Sequence, residues 1–315
     1  MHSVGLVLHP QRDSAEAVEE VLRWATARNI PVYGLKDEVA RLNCAAIAVS
    51  EEELGRQSDL IVSLGGDGTM LRAMRLADRQ RASVLGVNLG KLGFLAEVDV
   101  PDVPAALSAI DKGEYTIEPR LAIDATHGTR TATAFNDAVV VRVPGNGGSA
   151  QVAVRVAGHP FVSYAADAVI VATPTGSTAY SFSAGGPIVH PAVEALLVTP
   201  ASPHSAYNRG FVLSVEDEVA LDLLPASGRL AIEIDGQVIA YADPGDRLEL
   251  RARPGAARVI RLGHNTFYER ARRKLRLSDS AEIAPGYSGY DGDGDGGPDH
   301  DDRPRTEPAR VSEQA

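Results

Sequence analysis

Two runs of this chain combine residue types and spacings that could do chemistry. In one, Leu60-Ile61-Val62-Ser63-Leu64 leads into Gly65-Gly66-Asp67-Gly68-Thr69 and then into a helix-like stretch over residues 70–77. A glycine turn between strand and helix aims backbone N–H groups and the positive helix end at one spot, which suits a phosphate. Asp67 does not fit a simple cradle. Beside bound phosphates a carboxylate is repelled unless it meets a bridging cation or takes a proton, so its position suggests a chemical role. The competing reading is a helix-start Asp in a plain turn. In the other run, residues 173–187, Thr173, Thr175, Ser177, Thr178, Ser181 and Ser183 lie among glycines and prolines around Tyr180 and Phe182. Each hydroxyl can donate and accept, and glycine lets a backbone approach a ligand. A Ser/Thr-rich linker is the alternative, but the run follows directly on the apolar stretch 168–172, which reads as a buried strand.

Two smaller pairs add polar groups where strands are expected. Asn136-Asp137 lies inside the strand-like run 133–143, where a carboxylate could accept paired hydroxyls such as those of a ribose; a β-bulge or edge position accounts for the pair equally well. Asp235-Gly236-Gln237 reads first as a type I′ hairpin turn. Asp167 precedes the strand that leads into the hydroxyl-rich run and alone reads as a strand-end residue. Arg209 could face a phosphate or brace a carboxylate.

The elements that must carry these residues fall into two kinds. Over residues 1–114 strand and helix patterns alternate: strands at 4–8, 31–33, 60–64 and 83–88, helices at 14–29, 70–77 and 103–112. This predicts an α/β domain with a mostly parallel sheet and a ligand beyond the strands' carboxyl ends. Over residues 115–262 closely spaced strands take over, predicting an all-β, sandwich-like second domain. A helix at 266–274, within a segment 263–278, or the strand before it, would return to the first domain. Residues 279–315 form an acidic tail rich in Gly, Pro and Asp whose composition predicts disorder.

Composition narrows the classes. At 315 residues and 44% hydrophobic content the chain has room for two cores. The single cysteine, Cys44, cannot form an internal disulfide, and the N-terminus has no signal-peptide pattern, so a cytoplasmic location is expected. No apolar run approaches the roughly 18 residues of a membrane span. The net charge of −11 argues against a nucleic-acid or anionic-membrane surface; residues 279–315, with ten acidic and three basic side chains, carry −7 of it. Within the tail Asp291, Asp293, Asp295, Gly296 and Asp302 have calcium-loop spacing, but the last is Asp instead of Glu and Pro298 intrudes. Two nucleotide motifs are excluded by spacing: a G-x-G-x-x-G from Gly66 would need glycine at Leu71, and a P-loop would need Ser or Thr at Leu92.

Taken together, Gly65 to Thr69, then Gly86-Val87-Asn88 with Leu92-Gly93-Phe94-Leu95, then Asn136-Asp137, residues 173–187 and Asp235-Gly236-Gln237, the chain resembles the NAD kinase family over about residues 4–270. The glycine turn alone would not say so, since diacylglycerol and sphingosine kinases and phosphofructokinases share its type. The resemblance implies transfer of a phosphoryl group from ATP, or in some members polyphosphate, to the 2′-hydroxyl of the adenosine ribose of NAD, giving NADP, with Mg2+ neutralising the phosphates. It implies Asp67 as general base and possible metal contact, with Gly68 and Arg72 near the phosphates. Asn136 and Asp137 would hold the nicotinamide-side ribose, and Asp167 would contact the nicotinamide end. Thr178, Ala179, Tyr180, Ser181, Phe182 and Ser183 would line the adenine and ribose pocket, with Phe94 and Gln237 as further pocket residues. It also implies a homodimer or homotetramer. The sequence departs from the family at Asp137, where Glu is more frequent, and at Gly210, where proline is common. A lipid kinase sharing the turn and a non-catalytic dinucleotide sensor are the alternatives; the first lacks a membrane-facing composition and the second has no need of Asp67.

Overall fold

The computed structural model describes residues 2–80, 82–90, 93–145, 148–263 and 266–277; the acidic tail at 279–315 with its calcium-spaced aspartates lies outside them, as do Lys91 and Leu92. Residues 1–276 form one compact unit. Its first part runs β1 (Val4–Leu8), α1 (Ala15–Thr26), β2 (Val32–Leu35), α2 (Lys36–Leu42), β3 (Ile47–Val49), α3 (Glu51–Gln57), β4 (Leu60–Leu64), α4 (Asp67–Ala77), β5 (Ser83–Asn88), β6 (Val98–Asp99) and α5 (Val103–Lys112). β5, β4, β1, β2 and β3 lie side by side in that order, all parallel. β1 and β4 are buried along their full length because helices cover both faces, which explains their uninterrupted apolar sequence.

The second part is antiparallel: β7 (Thr116–His127), β8 (Arg130–Ala134), β9 (Asp137–Arg142), β10 (Ala150–Val156), β11 (His159–Ala166), β12 (Ala168–Ala172), α6 (Tyr180–Ser183), β13 (Ala195–Ala201), β14 (Phe211–Ser214), β15 (Val219–Leu223), β16 (Leu230–Ile234), β17 (Gln237–Ala242), β18 (Arg247–Arg261) and α7 (Phe267–Leu275). Six of these strands make one sheet in the order β14-β13-β12-β9-β16-β17. β10, β11 and β15 extend the parallel sheet instead, through β18. The core between the two antiparallel layers joins Val140, Val171, Leu196 and Ile232 to Val152, Tyr164, Leu221 and Leu250. This is the expected α/β domain with a β sandwich, sharing one continuous sheet.

β18 is the hinge of that arrangement. Its first half pairs antiparallel with β15, while Arg258 and Val259 pair parallel with β5. β7 runs antiparallel along nearly all of it, with a register shift between Arg253 and Ala257. The expected strand over 133–143 is in fact two, β8 and β9, meeting at Phe135 and Asn136. The reason lies a hundred residues away: the Asp235 carboxylate takes the N–H groups of Phe135, Asn136 and Asp137 out of any ladder. β11, β13 and β17 are strands the pattern did not single out.

Candidate active site

The carboxyl ends of β1 and β4 open on one cavity of about 340 Å³, bordered by His9, Gly66, Gly68, Arg72, Arg75 and Gln237. Each glycine of the turn has its own job. A Cβ at Gly65 would stand 2.2 Å from Thr69 Oγ1, so that glycine lets the turn fold on itself. A Cβ at Gly66 or Gly68 would meet nothing within 4 Å, so their outer side is open to a ligand. His9 accepts the N–H groups of Gln11 and Arg12 on Nδ1 at 3.1 and 3.0 Å, so that nitrogen carries no proton. Burial, and then the charges of Arg12, Arg41 and Arg72, lower its pKa. A neutral imidazole ringed by guanidinium groups is an electropositive wall suited to phosphates. Sequence reasoning did not pick out His9 or Arg12, although both follow a central strand whose carboxyl end had to face the ligand. Arg72, expected at a phosphate, is ion-paired with Glu38 and donates to Leu8 O at 3.2 Å. A second hollow, of about 510 Å³, lies along Leu35, Lys36, Glu38, Arg41 and Arg72.

Asp67 is the first residue of α4 but does not cap it; Gly66 holds that position without a side-chain bond. Its carboxylate turns to the loop after β5. Oδ1 accepts Leu95 N–H at 3.0 Å, and Oδ2 accepts Phe94 N–H at 3.2 Å and Lys274 Nζ at 2.9 Å. Gly93 is required here, because a Cβ would stand 2.2 Å from Oδ1. Gly93, Phe94 and Leu95 are thus the seat of the Asp67 carboxylate. Phe94, expected in the substrate pocket, is buried with its ring under Lys274.

The second half of the site gathers around Asn136. Asp235 and Gly236 have φ of 48° and 76°, the two positive values that a type I′ hairpin needs. Yet Asp235 does more than turn the chain: its buried carboxylate receives Asn136 N–H at 2.7 Å and pairs with Arg75 of α4 at 2.7 Å. Gly176 packs on Asn136 from the other side, where a Cβ would stand 2.0 Å from its carbonyl oxygen. Asp137, at the start of β9, is buried. Burial first, then the charges of Asp235 and Glu233, push its pKa up to about 7. Tyr180 stands near the same charges: burial, then Glu233, Asp167 and Asp137, raise its hydroxyl. Asp167 sits half-exposed, paired with Arg142 at 2.6 Å.

The hydroxyl-rich segment divides in two, a division its composition does not reveal. Thr173, Thr175, Ser177 and Ser181 are buried and engaged within the protein. Thr173 donates to Phe135 O, Thr175 accepts from Arg120, Ser177 donates to Pro174 O and accepts from Val189, and Ser181 pairs with Thr199. Within residues 178–183, Thr178, Ala179 and Phe182 keep part of their surface and Tyr180 and Ser183 are exposed. Ser181, expected in the pocket, is fully buried and bonded to Thr199. The two halves are wired together by a buried charge cluster: Arg120 and Arg261 both pair with Glu118, and Arg261 donates to Leu95 O at 2.8 Å. Thr175 and the Asp67 seat thus share one scaffold. Arg120, with burial acting most and Arg261 next, is lowered to about 10.

A family model described as the ATP-NAD kinase N-terminal domain matches residues 4–115, and one described as the ATP-NAD kinase C-terminal domain matches residues 135–262. An NAD kinase of Desulforamulus reducens is 39% identical over 284 residues, covering 88% of this chain and 98% of that protein. NAD kinase 1 of Streptomyces coelicolor is 38% identical, covering 90% and 88%. Among solved structures, yeast NADH kinase complexed with NADH has the same fold, with a TM-score of 0.78 at 23% identity over 89% of each chain. An Archaeoglobus fulgidus NAD kinase in complex with ATP matches with a TM-score of 0.68 at 25% identity, over 87% of this chain and 98% of its own.

Proposed function

The chain belongs to the NAD kinase family, and on that footing we propose how its residues divide the work of moving a phosphoryl group from ATP to the 2′-hydroxyl of the adenosine ribose of NAD, which yields NADP. The observation that carries the reading is the seat of Asp67. Its carboxylate is fixed by two backbone N–H groups at the mouth of a glycine turn whose Gly66 and Gly68 face open space. A secondary hydroxyl is a poor nucleophile, so a fixed carboxylate within hydrogen-bond reach supplies what it lacks. Asp67 takes the hydroxyl proton as the oxygen attacks the terminal phosphorus, and ADP leaves. The backbone of Gly66 and Gly68, with His9 on the same cavity and Arg12 next to His9, receives the phosphates of ATP.

Asn136 and Asp137 hold the nicotinamide-side ribose and Asp167 the nicotinamide end. Thr178, Ala179, Tyr180, Phe182 and Ser183 take the adenosine, with the exposed Tyr180 ring as its wall, and Gln237 borders the phosphates. Among the described residues no group of three or more His, Cys, Asp or Glu side chains could hold a metal ion. A single carboxylate together with the phosphates of ATP is what Mg2+ commonly needs, so the ion enters with the ATP substrate and Asp67 can meet it through the bound phosphates. A homo-oligomer working in the cytoplasm completes the proposal; among the described residues no helix is long and apolar enough to cross a membrane.

The test is NADP formation from ATP, Mg2+ and NAD by the purified protein and by Asp67→Asn. Wild type should turn over, and the variant should lose a factor of about 10²–10⁴ in kcat while its KM for NAD stays within threefold. A wild type that binds NAD without making NADP would overturn the kinase reading in favour of a dinucleotide sensor.

A further inference from the structure

Lys274 is placed unlike the other basic residues of α7. The helix is anchored at its start by the Thr266–Glu269 capping box and by Phe267 and Tyr268, whose rings lie 5.2 and 5.6 Å from His190. Phe267, Arg270 and Ala271 are its buried residues. Lys274 continues their i, i+3, i+4, i+7 stripe toward the end of the helix, and its side chain stays about 33% exposed. Its ammonium stands 2.9 Å from Asp67 Oδ2 and 5.0 Å above the Phe94 ring.

The surroundings of the carboxylate give this contact its meaning. Oδ1 is closed off by the Leu95 N–H and by Gly93, and one side of Oδ2 by the Phe94 N–H. Lys274 occupies the other acceptor direction seen on Oδ2. A hydroxyl that gives its proton to Oδ2 from that side takes the place of the ammonium. A lysine side chain on four methylenes can yield a hydrogen bond without leaving the neighbourhood. The displaced charge then stays within a few ångströms of the phosphorus under attack, where negative charge is concentrated.

Building on the kinase reading above, we propose that Lys274 is a catalytic residue that exchanges partners: it covers Asp67 in the substrate-free enzyme and moves to the oxygens of the transferring phosphoryl group when the ribose hydroxyl docks. The ribose oxygen–phosphorus bond forms, the bond from that phosphorus to ADP breaks with its electron pair leaving on ADP, and the hydroxyl proton passes to Asp67. Lys274 keeps its own protons throughout and acts through charge.

The experiment compares Lys274→Met and Lys274→Ala with wild type at saturating ATP, Mg2+ and NAD, with and without added ethylamine. Both variants should unfold within about 2 °C of wild type, because a partly exposed ion pair adds little stability. Both should lose about 10²-fold in kcat with the KM for NAD within threefold. Ethylamine should restore Lys274→Ala at least tenfold and leave Lys274→Met unchanged, since only the first leaves room for it. A kcat for Lys274→Met within threefold of wild type, or above it, overturns the proposal, as does failure of ethylamine to act on Lys274→Ala. Activity of the wild type in the same assay separates this failure from failure of the kinase reading.

Discussion

Removal of the Asp235 carboxylate tests whether the nucleotide site is held from behind by this side chain. In Asp235→Ala, the N–H groups of Phe135 and Asn136, now bonded at 3.0 and 2.7 Å, lose their acceptor, and Arg75 loses its partner. A buried donor left without an acceptor costs about 1–3 kcal/mol. Arg75 is partly exposed and can turn to water, so its charge adds less. Alanine is also less tolerant than Asp of the positive φ of 48° at this position. Together these give about 3–5 kcal/mol, which for a unit of this size lowers the unfolding midpoint by roughly 5–9 °C. With its backbone released, Asn136 should drift, and the KM for NAD should rise about tenfold or more. Asp235→Asn keeps the tolerance for positive φ and one acceptor oxygen, and should fall between the two. Differential scanning calorimetry and initial-rate kinetics read both effects. A midpoint within 3 °C of wild type together with a KM for NAD within twofold would refute the reasoning.

Two further outcomes follow from the same geometry. Because the folded-state pKa of Asp137 lies near 7, above its ordinary 3.8, the folded protein holds a proton there that the unfolded chain releases. Stability from the neutral form is then full below the ordinary carboxylate range and is lost as pH rises toward 7, so the stability advantage of Asp137→Asn over wild type should widen by about 2–3 kcal/mol from pH 5 to pH 8; a gap independent of pH in denaturant titrations would remove the argument. Gly93→Ala puts a methyl group 2.2 Å from Asp67 Oδ1 and must push the carboxylate off the Leu95 amide. Its kcat should fall at least tenfold with little change in the KM for NAD, and unaltered turnover would show that the seat of Asp67 does not govern the chemistry.

What could be read along the chain is what local residue type controls. The strand-glycine-helix run at 60–77 announces a turn with open amides, the apolar run 168–172 a buried strand, and the joint presence of five motifs the family. Glycine, hydroxyl and carboxylate each have chemistry that needs no neighbour to be recognised. Direction and partnership do need neighbours. Thr173, Thr175, Ser177 and Ser181 look the same in sequence as Thr178 and Ser183, yet the first four are buried in the scaffold and the last two stay accessible. Asp235 lies about a hundred residues from the amides it holds, and Lys274 lies 207 residues from Asp67. Contacts at such separation are set by the register of β18 between its two sheet partners and by the stripe that seats α7. A sequence pattern reports what a residue can do within a turn or two; which groups meet is decided by how distant elements pack to bury their apolar faces.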